Sequence, residues 1–390
     1  MMYYHNVFNQ LNNGAKQQQS YYESIFDSLM DMVRVIDRDN IVQMINESMA
    51  QKLGNITGRK CYEILGCKGV CPNCISDKAI KFKKPYRKIE VLNGRFYSII
   101  SSPIYNYDGS VDAAVEVFRD ITEERKLHDQ IIRQNQIMQR DIDYAGKIQK
   151  SFLPTAYPNN ERVSFFGRYI PCQEVGGDLY DVFQLDRHHI AMLVADVAGH
   201  GVAAAMVAVF LKEAVRSIAK GMPRGNEGVI ELKPSDVLNS LYKRFNSIDL
   251  DSSSYITILY GILDLRDNTL TMANAGHNCL PILYNGSVLK DLFVKGPPIN
   301  RYLGSYPYKE TKFHLNKGDN ILFYTDGLIE IRNTRNHFHL HGEEHLKNFI
   351  KHNSHLKGKD IIDTILKEVE SYCPQQLRSD DIAMLTVSML

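Results

Sequence analysis

The sequence predicts an α+β protein built on antiparallel sheets, with two folded domains joined by a long helix. Three observations carry that reading. Strand-like segments follow one another across the short turn dipeptides Asn93-Gly94, Asp108-Gly109, Asp267-Asn268 and Asn285-Gly286. Such connections suit hairpins, whereas parallel strands need long crossovers. Residues 120–152 hold no proline and a single glycine, as a long helix requires. The 390 residues have room for two or three domains at roughly 100–200 residues each.

The elements run in order as follows. Residues 1–20 are rich in Asn, Gln and Ser and read as a mobile tail that enters a helix near Tyr21. Residues 21–122 read as a small α+β domain. Ser24–Met32 has helical spacing, and Val33–Asp37 and Asn40–Met44 alternate about an Asp-Arg-Asp-Asn turn. After a further helical stretch, Lys88–Leu92, Arg95–Ser101 and Val111–Phe118 read as strands. Residues 123–152 form the linker helix. Leu127, Ile131, Met138, Ala145, Ile148 and Phe152 fall on a and d heptad positions, although Gln134 and Asp141 weaken the seam. The pattern fits a parallel coiled coil across a dimer, or a solvated helix with one packed stripe. Pro154 ends the helix. In residues 153–390, strands are predicted at Ile190–Asp196, Tyr255–Leu265, Leu270–Ala275, Ile282–Tyr284, Asn320–Thr325 and Ile382–Met389. Helices are predicted at Val202–Ala219, Pro234–Ser247, Glu343–His352 and Lys359–Tyr372.

Composition narrows the function. Hydrophobic residues make up 44% and charged residues 23%, ordinary values for domains with packed cores. A net charge of +1 lacks the basic excess of a dedicated nucleic-acid binder. The most apolar stretch, Val202–Leu211, has half the length of a membrane span, and the N-terminus lacks a signal-peptide apolar region. The expectation is a cytoplasmic protein with no membrane or nucleic-acid partner.

Several aspartates stand out by their setting. Asp178 follows Gly176-Gly177. Asp196 ends the apolar run Ile190–Ala195 and precedes Val197-Ala198-Gly199-His200-Gly201. Asp326 ends Ile321–Thr325 and precedes Gly327, and Asp380-Asp381 opens the final strand. A carboxylate at the tip of a buried strand is costly without a partner. Hard cations such as Mg²⁺ and Mn²⁺ prefer oxygen donors and would serve several such groups at once. Each motif alone is weak, because Gly-Gly-Asp and Asp-Gly are common turns. Their joint order is more specific.

In that order the chain resembles the PPM-type metal-dependent protein phosphatases, in the SpoIIE/RsbU-like branch. The resemblance runs through Ile148-Gln149-Lys150-Ser151-Phe152-Leu153-Pro154, Pro171–Asp181, Ala195–Gly201, Ala273-Asn274-Ala275-Gly276-His277-Asn278, Gly318-Asp319 with Tyr324-Thr325-Asp326-Gly327, and Asp380-Asp381-Ile382. It implies an αββα sandwich with a binuclear Mn²⁺ or Mg²⁺ site at one edge. Asp178, Asp196, the Val197 carbonyl, Asp326 and Asp380 would be ligands, with Asp196 bridging. Asp380 fits the family position better than Asp381. A hydroxide bridging two such metals would attack phosphorus in line, with no phospho-enzyme. His277 and Asn278 would shape the site; His200 could support the ligands or donate a proton, but reads rather as a turn residue satisfied by backbone. The segment Gly296–Gly304 is longer than its family counterpart, which puts the local loop in doubt.

Residues 21–122 resemble a PAS sensor domain, through the Val33–Met44 hairpin with Asn46-Glu47 and the exit Val115–Thr122. Four of the seven cysteines, Cys61, Cys67, Cys71 and Cys74, lie close together there. Their spacing is open to a Zn²⁺ site, an iron–sulfur cluster, a reversible thiol pair or no function. No residue specifies a PAS ligand.

The combined expectation is a signal-regulated protein serine/threonine phosphatase, homodimeric through the PAS domain and linker. By resemblance alone its substrate would be a phosphorylated STAS-type anti-anti-sigma protein. The rivals are a non-catalytic PAS scaffold with a degenerate phosphatase fold, and a histidine kinase using His128. The intact aspartate set argues against the first, and the missing ATP-lid glycines against the second.

Overall fold

The computed structural model describes residues 17–64, 69–221, 233–248, 255–286, 288–302, 304, 306–332, 339–372 and 380–390. The chain divides into two compact units, Met1–Gln136 and Ile137–Leu390. The division falls inside one continuous helix, Thr122–Phe152.

In the first unit, residues 17–27 are helical, including the last four residues of the predicted tail, whose residues 1–16 lie outside the described residues; the helix predicted over Ser24–Met32 ends at Asp27, and Met32 opens a strand. Five strands follow: β1 (Met32–Asp37), β2 (Val42–Ile45), β3 (Tyr86–Leu92), β4 (Arg95–Tyr105) and β5 (Val111–Asp120). They form one antiparallel sheet in the order β2-β1-β5-β4-β3. The hairpin turns are made by residues that tolerate a left-handed backbone, with Asn40 at φ 62° and Asn93-Gly94 at 50° and 77°. Asn46 holds the entry to the Glu47–Leu53 helix. Its side-chain oxygen accepts from the N–H groups of Val33 and Met49, and its amide donates to Leu29 and Asp31 carbonyls. A fully buried Asn is tolerable only when so completely satisfied. Met32, Ile36, Val42, Met49, Ile99 and Phe118 form the core. Beside them lies a buried ion pair: Arg34 donates to Glu116, which also accepts from the Ser76 hydroxyl at 2.6 Å.

The second unit is a four-layer sandwich. One sheet has the order β14-β10-β9-β8-β7, with β13 paired to the free end of β9. Its strands are β7 (Leu179–Gln184), β8 (His189–Val197), β9 (Tyr255–Asp264), β10 (Thr269–Ala275), β13 (Ile299–Asn300) and β14 (Glu310–His314). The other has the order β12-β11-β15-β18-β6, from β6 (Val163–Ile170), β11 (Ile282–Asn285), β12 (Val288–Asp291), β15 (Asn320–Tyr324) and β18 (Ile382–Met389). A small hairpin, β16 (Ile331–Arg332) and β17 (His339–His341), completes the strands described. All the paired strands are antiparallel.

Side-chain alternation along β8 shows how the layers form. Ile190, Met192 and Val194 pack between the sheets with Leu259, Phe323 and Leu385. Ala191, Leu193, Ala195 and Val197 face the Val202–Gly221 and Pro234–Asn246 helices. The opposite face of the second sheet, through Leu322, Tyr324 and Met384, packs on the Glu343–His352 and Lys359–Tyr372 helices. Helix, sheet, sheet and helix thus each bury an apolar face. The expected α+β class and its antiparallel sheets are the observed ones.

Candidate functional site

The site begins with strand register. β7 and β8 pair with Leu179 opposite Ala195. Just beyond that last pair, Asp178 comes within side-chain hydrogen-bond reach of Asp196. Like charges so close repel. On its other side Asp196 faces Thr257 of β9.

The second sheet supplies the remaining acids. The Thr325 N–H donates to the Ala383 carbonyl, extending the β15–β18 pairing beyond Tyr324. Asp326 then begins a single 3₁₀ turn, Asp326–Leu328, beside the start of β18. Gly327 is obligatory at this crossing, because a Cβ would sit 1.9 Å from the Asp381 carbonyl oxygen. Asp380 and Asp381 separate into different roles. Both Asp381 oxygens accept backbone N–H groups, from Cys172 at 2.8 Å and Gly177 at 2.7 Å. Asp381 therefore braces the turn before Asp178, and Asp380 is the one left to face the other acids.

The acids feel one another strongly. Burial raises Asp178 well above the usual carboxylate range, the charge of Asp196 raises it further, and the Thr325 hydroxyl opposes both. Asp196 is pushed up to about 7 by burial, then by Asp326 and Asp380. Asp326 rises to about 6 by burial, then by Asp380 and Glu330. Asp380 rises mainly by burial, while His200 pulls it down. The Asp178 Oδ2 atom is buried without a hydrogen-bond partner. As the side chains stand, no three His, Cys, Asp or Glu among the described residues close around a single point. They lie instead within electrostatic reach, as a set of oxygens that cannot all ionise without a counter-charge.

The neighbouring groups divide between site and scaffold. His200 is exposed between Gly199 and Gly201, both at positive φ, and lies within electrostatic reach of Asp380. His277 is buried. Its Nε2 lies 3.0 Å from the Tyr324 carbonyl, which fixes the proton there, so Nδ1 accepts from the Thr257 hydroxyl at 3.3 Å. Burial depresses this imidazole to about 4, keeping it neutral. It therefore ties β9 to β15 behind Asp196 and Asp326. Asn278 is exposed, and its side-chain oxygen accepts from the Cys279 thiol at 3.8 Å. The Val197 carbonyl faces Gly177, where a Cβ would approach it to 2.6 Å.

Sequence reasoning missed Glu330, which acts on both Asp326 and Asp380. The i, i+4 spacing from Asp326 was a usable signal. It also missed Gln149 and Thr257, whose roles arise only from tertiary neighbours.

In the first unit, the Cys61 and Cys74 thiols both point to the Asn40 side-chain oxygen, at 3.8 and 3.7 Å. Burial raises Cys61 to about 11. Cys67 lies outside the described residues.

Two family models match the chain. Residues 186–390 match Stage II sporulation protein E, SpoIIE, and residues 26–126 match a PAS fold. The first match contains Asp196, Asp326 and Asp380; Asp178 lies before it. The phosphoserine phosphatase RsbU of Bacillus subtilis (strain 168) is 26% identical over 77% of this chain and 84% of its own length. The phosphoserine phosphatase RsbP of the same organism is 27% identical over 49% of this chain and 45% of its own. Among solved structures, the SiaA-PP2C domain of Pseudomonas aeruginosa superposes with a TM-score of 0.56 at 19% identity, covering 66% of this chain and 99% of that domain.

Proposed function

The chain belongs to the SpoIIE family, and from that premise we propose that it hydrolyses phosphoserine or phosphothreonine on a partner protein with divalent cations held by Asp178, Asp196, Val197, Asp326 and Asp380. The protein is a serine/threonine protein phosphatase with an N-terminal PAS domain. The observation that carries the metal reading is the close approach of the Asp178 and Asp196 carboxylates, with the Asp178 Oδ2 buried and unpartnered. The donors are all oxygens, they repel one another, and they fit Mn²⁺ or Mg²⁺ rather than a soft metal. When bound, such ions supply the Lewis acidity that ionises the attacking water and offsets charge on the phosphoryl group.

The chain's own residues do the rest. Asp381 fixes the Gly177 peptide and with it the approach of Asp178. His277 keeps the two sheets in register behind the acids without adding charge. His200, exposed and within electrostatic reach of Asp380, is the proposed proton donor to the departing serine oxygen.

The finer reading has three parts. The substrate is a STAS-type anti-anti-sigma protein, which the likeness to RsbU and RsbP supports. The PAS domain regulates the phosphatase through the Thr122–Phe152 helix. The chain pairs with a second copy along that helix, where Leu127, Ile131, Met138 and Ile148 are exposed. No helix among the described residues is long and apolar enough to cross a membrane. In the four-cysteine region the Cys61 and Cys74 thiols share the Asn40 side-chain oxygen, and no metal is proposed there.

The test is hydrolysis of p-nitrophenyl phosphate by the full chain with Mn²⁺, beside Asp196→Asn and Asp326→Asn. Both variants should lose at least about a hundredfold in kcat, several kcal/mol of barrier. Equal activity in all three proteins would sink the metal reading.

A further inference from the structure

Two cysteines of the first unit converge on one oxygen. Cys61 opens the short Cys61–Ile64 helix and is buried in the core. Cys74 is half-buried and stands immediately before the Ile75–Phe82 helix. Between the two thiols lies Asn40, a buried residue of the β1–β2 turn. Its side-chain oxygen accepts from the Cys61 thiol at 3.8 Å and from the Cys74 thiol at 3.7 Å.

Helix capping does not explain Cys74. The residue before a helix favours Ser, Thr, Asp or Asn, whose side-chain oxygens accept the first free N–H groups. Cys74 holds that place and makes no such bond. Its sulfur goes to Asn40 instead. Cys61 is held against the same turn through its backbone: its N–H donates to the Asn40 carbonyl at 2.9 Å, and Ile41 bridges to Lys60 alongside. The Asn40 N–H is taken up in turn by the Asp37 carbonyl at 3.1 Å. One turn therefore presents both thiols to a single atom. Two sulfurs that share one oxygen stand no farther apart than those two hydrogen bonds laid end to end.

Cys71 is closer to Cys74 in sequence, and its carbonyl accepts the Cys74 N–H at 3.1 Å. That contact joins main chains. Cys74 acts on Cys61 electrostatically ahead of Cys71, which also reaches Lys88. Exposure then divides the roles, because Cys74 is open to a small solute and Cys61 is not.

We propose that Cys74 and Cys61 form a site of reversible oxidation, closing to an intramolecular disulfide in response to hydrogen peroxide. The Cys74 sulfur attacks one peroxide oxygen as its thiolate. The O–O bond breaks, the other oxygen takes up a proton and leaves as water, and Cys74 becomes a sulfenic acid. The Cys61 sulfur then bonds to the Cys74 sulfur, and the sulfenic hydroxyl departs with the Cys61 proton as a second water. Two thiols lose two electrons, and one peroxide is reduced to two waters. Bonded sulfurs are about 2 Å apart, so the Asn40 side chain withdraws from between them and loses both thiol donors. A dithiol reverses the step by exchange. The site lies wholly in the first unit, so its test is independent of the phosphatase reading.

The experiment treats the reduced full chain with graded hydrogen peroxide, alkylates the remaining thiols in urea, and maps the digest by mass spectrometry with and without dithiothreitol. The expected product is a Cys61–Cys74 linked peptide that disappears on reduction. Cys71→Ser should form it within about twofold of the wild-type rate. Cys61→Ser should leave Cys74 as a sulfenic acid that dimedone traps. Cys74→Ser changes a half-buried position, so it should lose the bridge with its circular dichroism unchanged. A bridge from Cys74 to Cys71 or Cys67 as the main product, bridges only between two copies, or no Cys61–Cys74 linkage at the highest peroxide level would each overturn the proposal. Zinc bound in equimolar amount to the purified chain and lost in Cys74→Ser would also overturn it, because the thiols would then be metal ligands.

Discussion

Acidification should weaken the phosphatase unit through one buried imidazole. His277 is fully enclosed, with Nε2–H donating to Tyr324 and Nδ1 accepting from Thr257, and its folded pKa is about 4. In the unfolded chain it titrates near 6.5. Between those values the unfolded state holds a proton that the folded state refuses, so stability falls as pH is lowered. The loss begins near pH 6.5 and is complete near pH 4. With about 1.4 kcal/mol for each tenfold step, the linkage costs about 2 kcal/mol near pH 5 relative to pH 8 and about 3 kcal/mol below pH 4. His277→Asn cannot titrate. It should start lower near pH 8 by about 1–3 kcal/mol, because the Tyr324 carbonyl loses its donor. It should then lose about 2 kcal/mol less than wild type on going to pH 5. Urea unfolding in EDTA, followed by circular dichroism because the chain has no tryptophan, reads both values. The acids of the site, raised by burial and by one another, are common to both proteins, so the difference isolates the imidazole. Parallel stability curves from pH 8 to pH 5 would refute the reasoning.

Two further predictions rest on single contacts. Gly327→Ala drives a Cβ to 1.9 Å from the Asp381 carbonyl, so β18 must shift; melting should report about 1–3 kcal/mol of destabilisation, and an unchanged melting curve would contradict the crossing. Cys61, raised to about 11, holds little thiolate at neutral pH. Iodoacetamide should label it about a hundredfold more slowly in the native protein than in urea, judged by peptide mapping, and equal rates would contradict its burial.

Much of this arrangement was legible before any coordinates. β18 and the Glu343–His352 and Lys359–Tyr372 helices fall where the apolar periodicities put them, because packing against two layers demands those patterns. β8 ran one residue past each predicted end. Asp196 and Asp326 were visible as acids at the tips of apolar runs. Several strands were not marked out, β6, β7 and β14 among them. β7 contains Asp181, whose charge breaks the apolar pattern yet is fully buried against Arg216 and Lys212. β14 is an edge strand with polar residues, which periodicity alone does not separate from loop. The division of labour between Asp380 and Asp381 was equally hidden. It depends on Cys172 and Gly177, some 200 residues earlier, and local spacing carries no such information.

The place of β18 in its sheet has a consequence for synthesis. It lies between β15 and β6, and Thr386 donates to the Phe166 carbonyl across 220 residues of chain. The second sheet therefore cannot close while the ribosome still holds the residues up to Met389. Asp380 and Asp381 arrive with the same strand. Closing so distant a pair is slow compared with forming local hairpins, so an interval must exist in which the first sheet is built and the second is open. During that interval the nascent protein has Asp178 and Asp196 together without Asp380. Under the proposed ligand set, activity begins with the docking of one central strand.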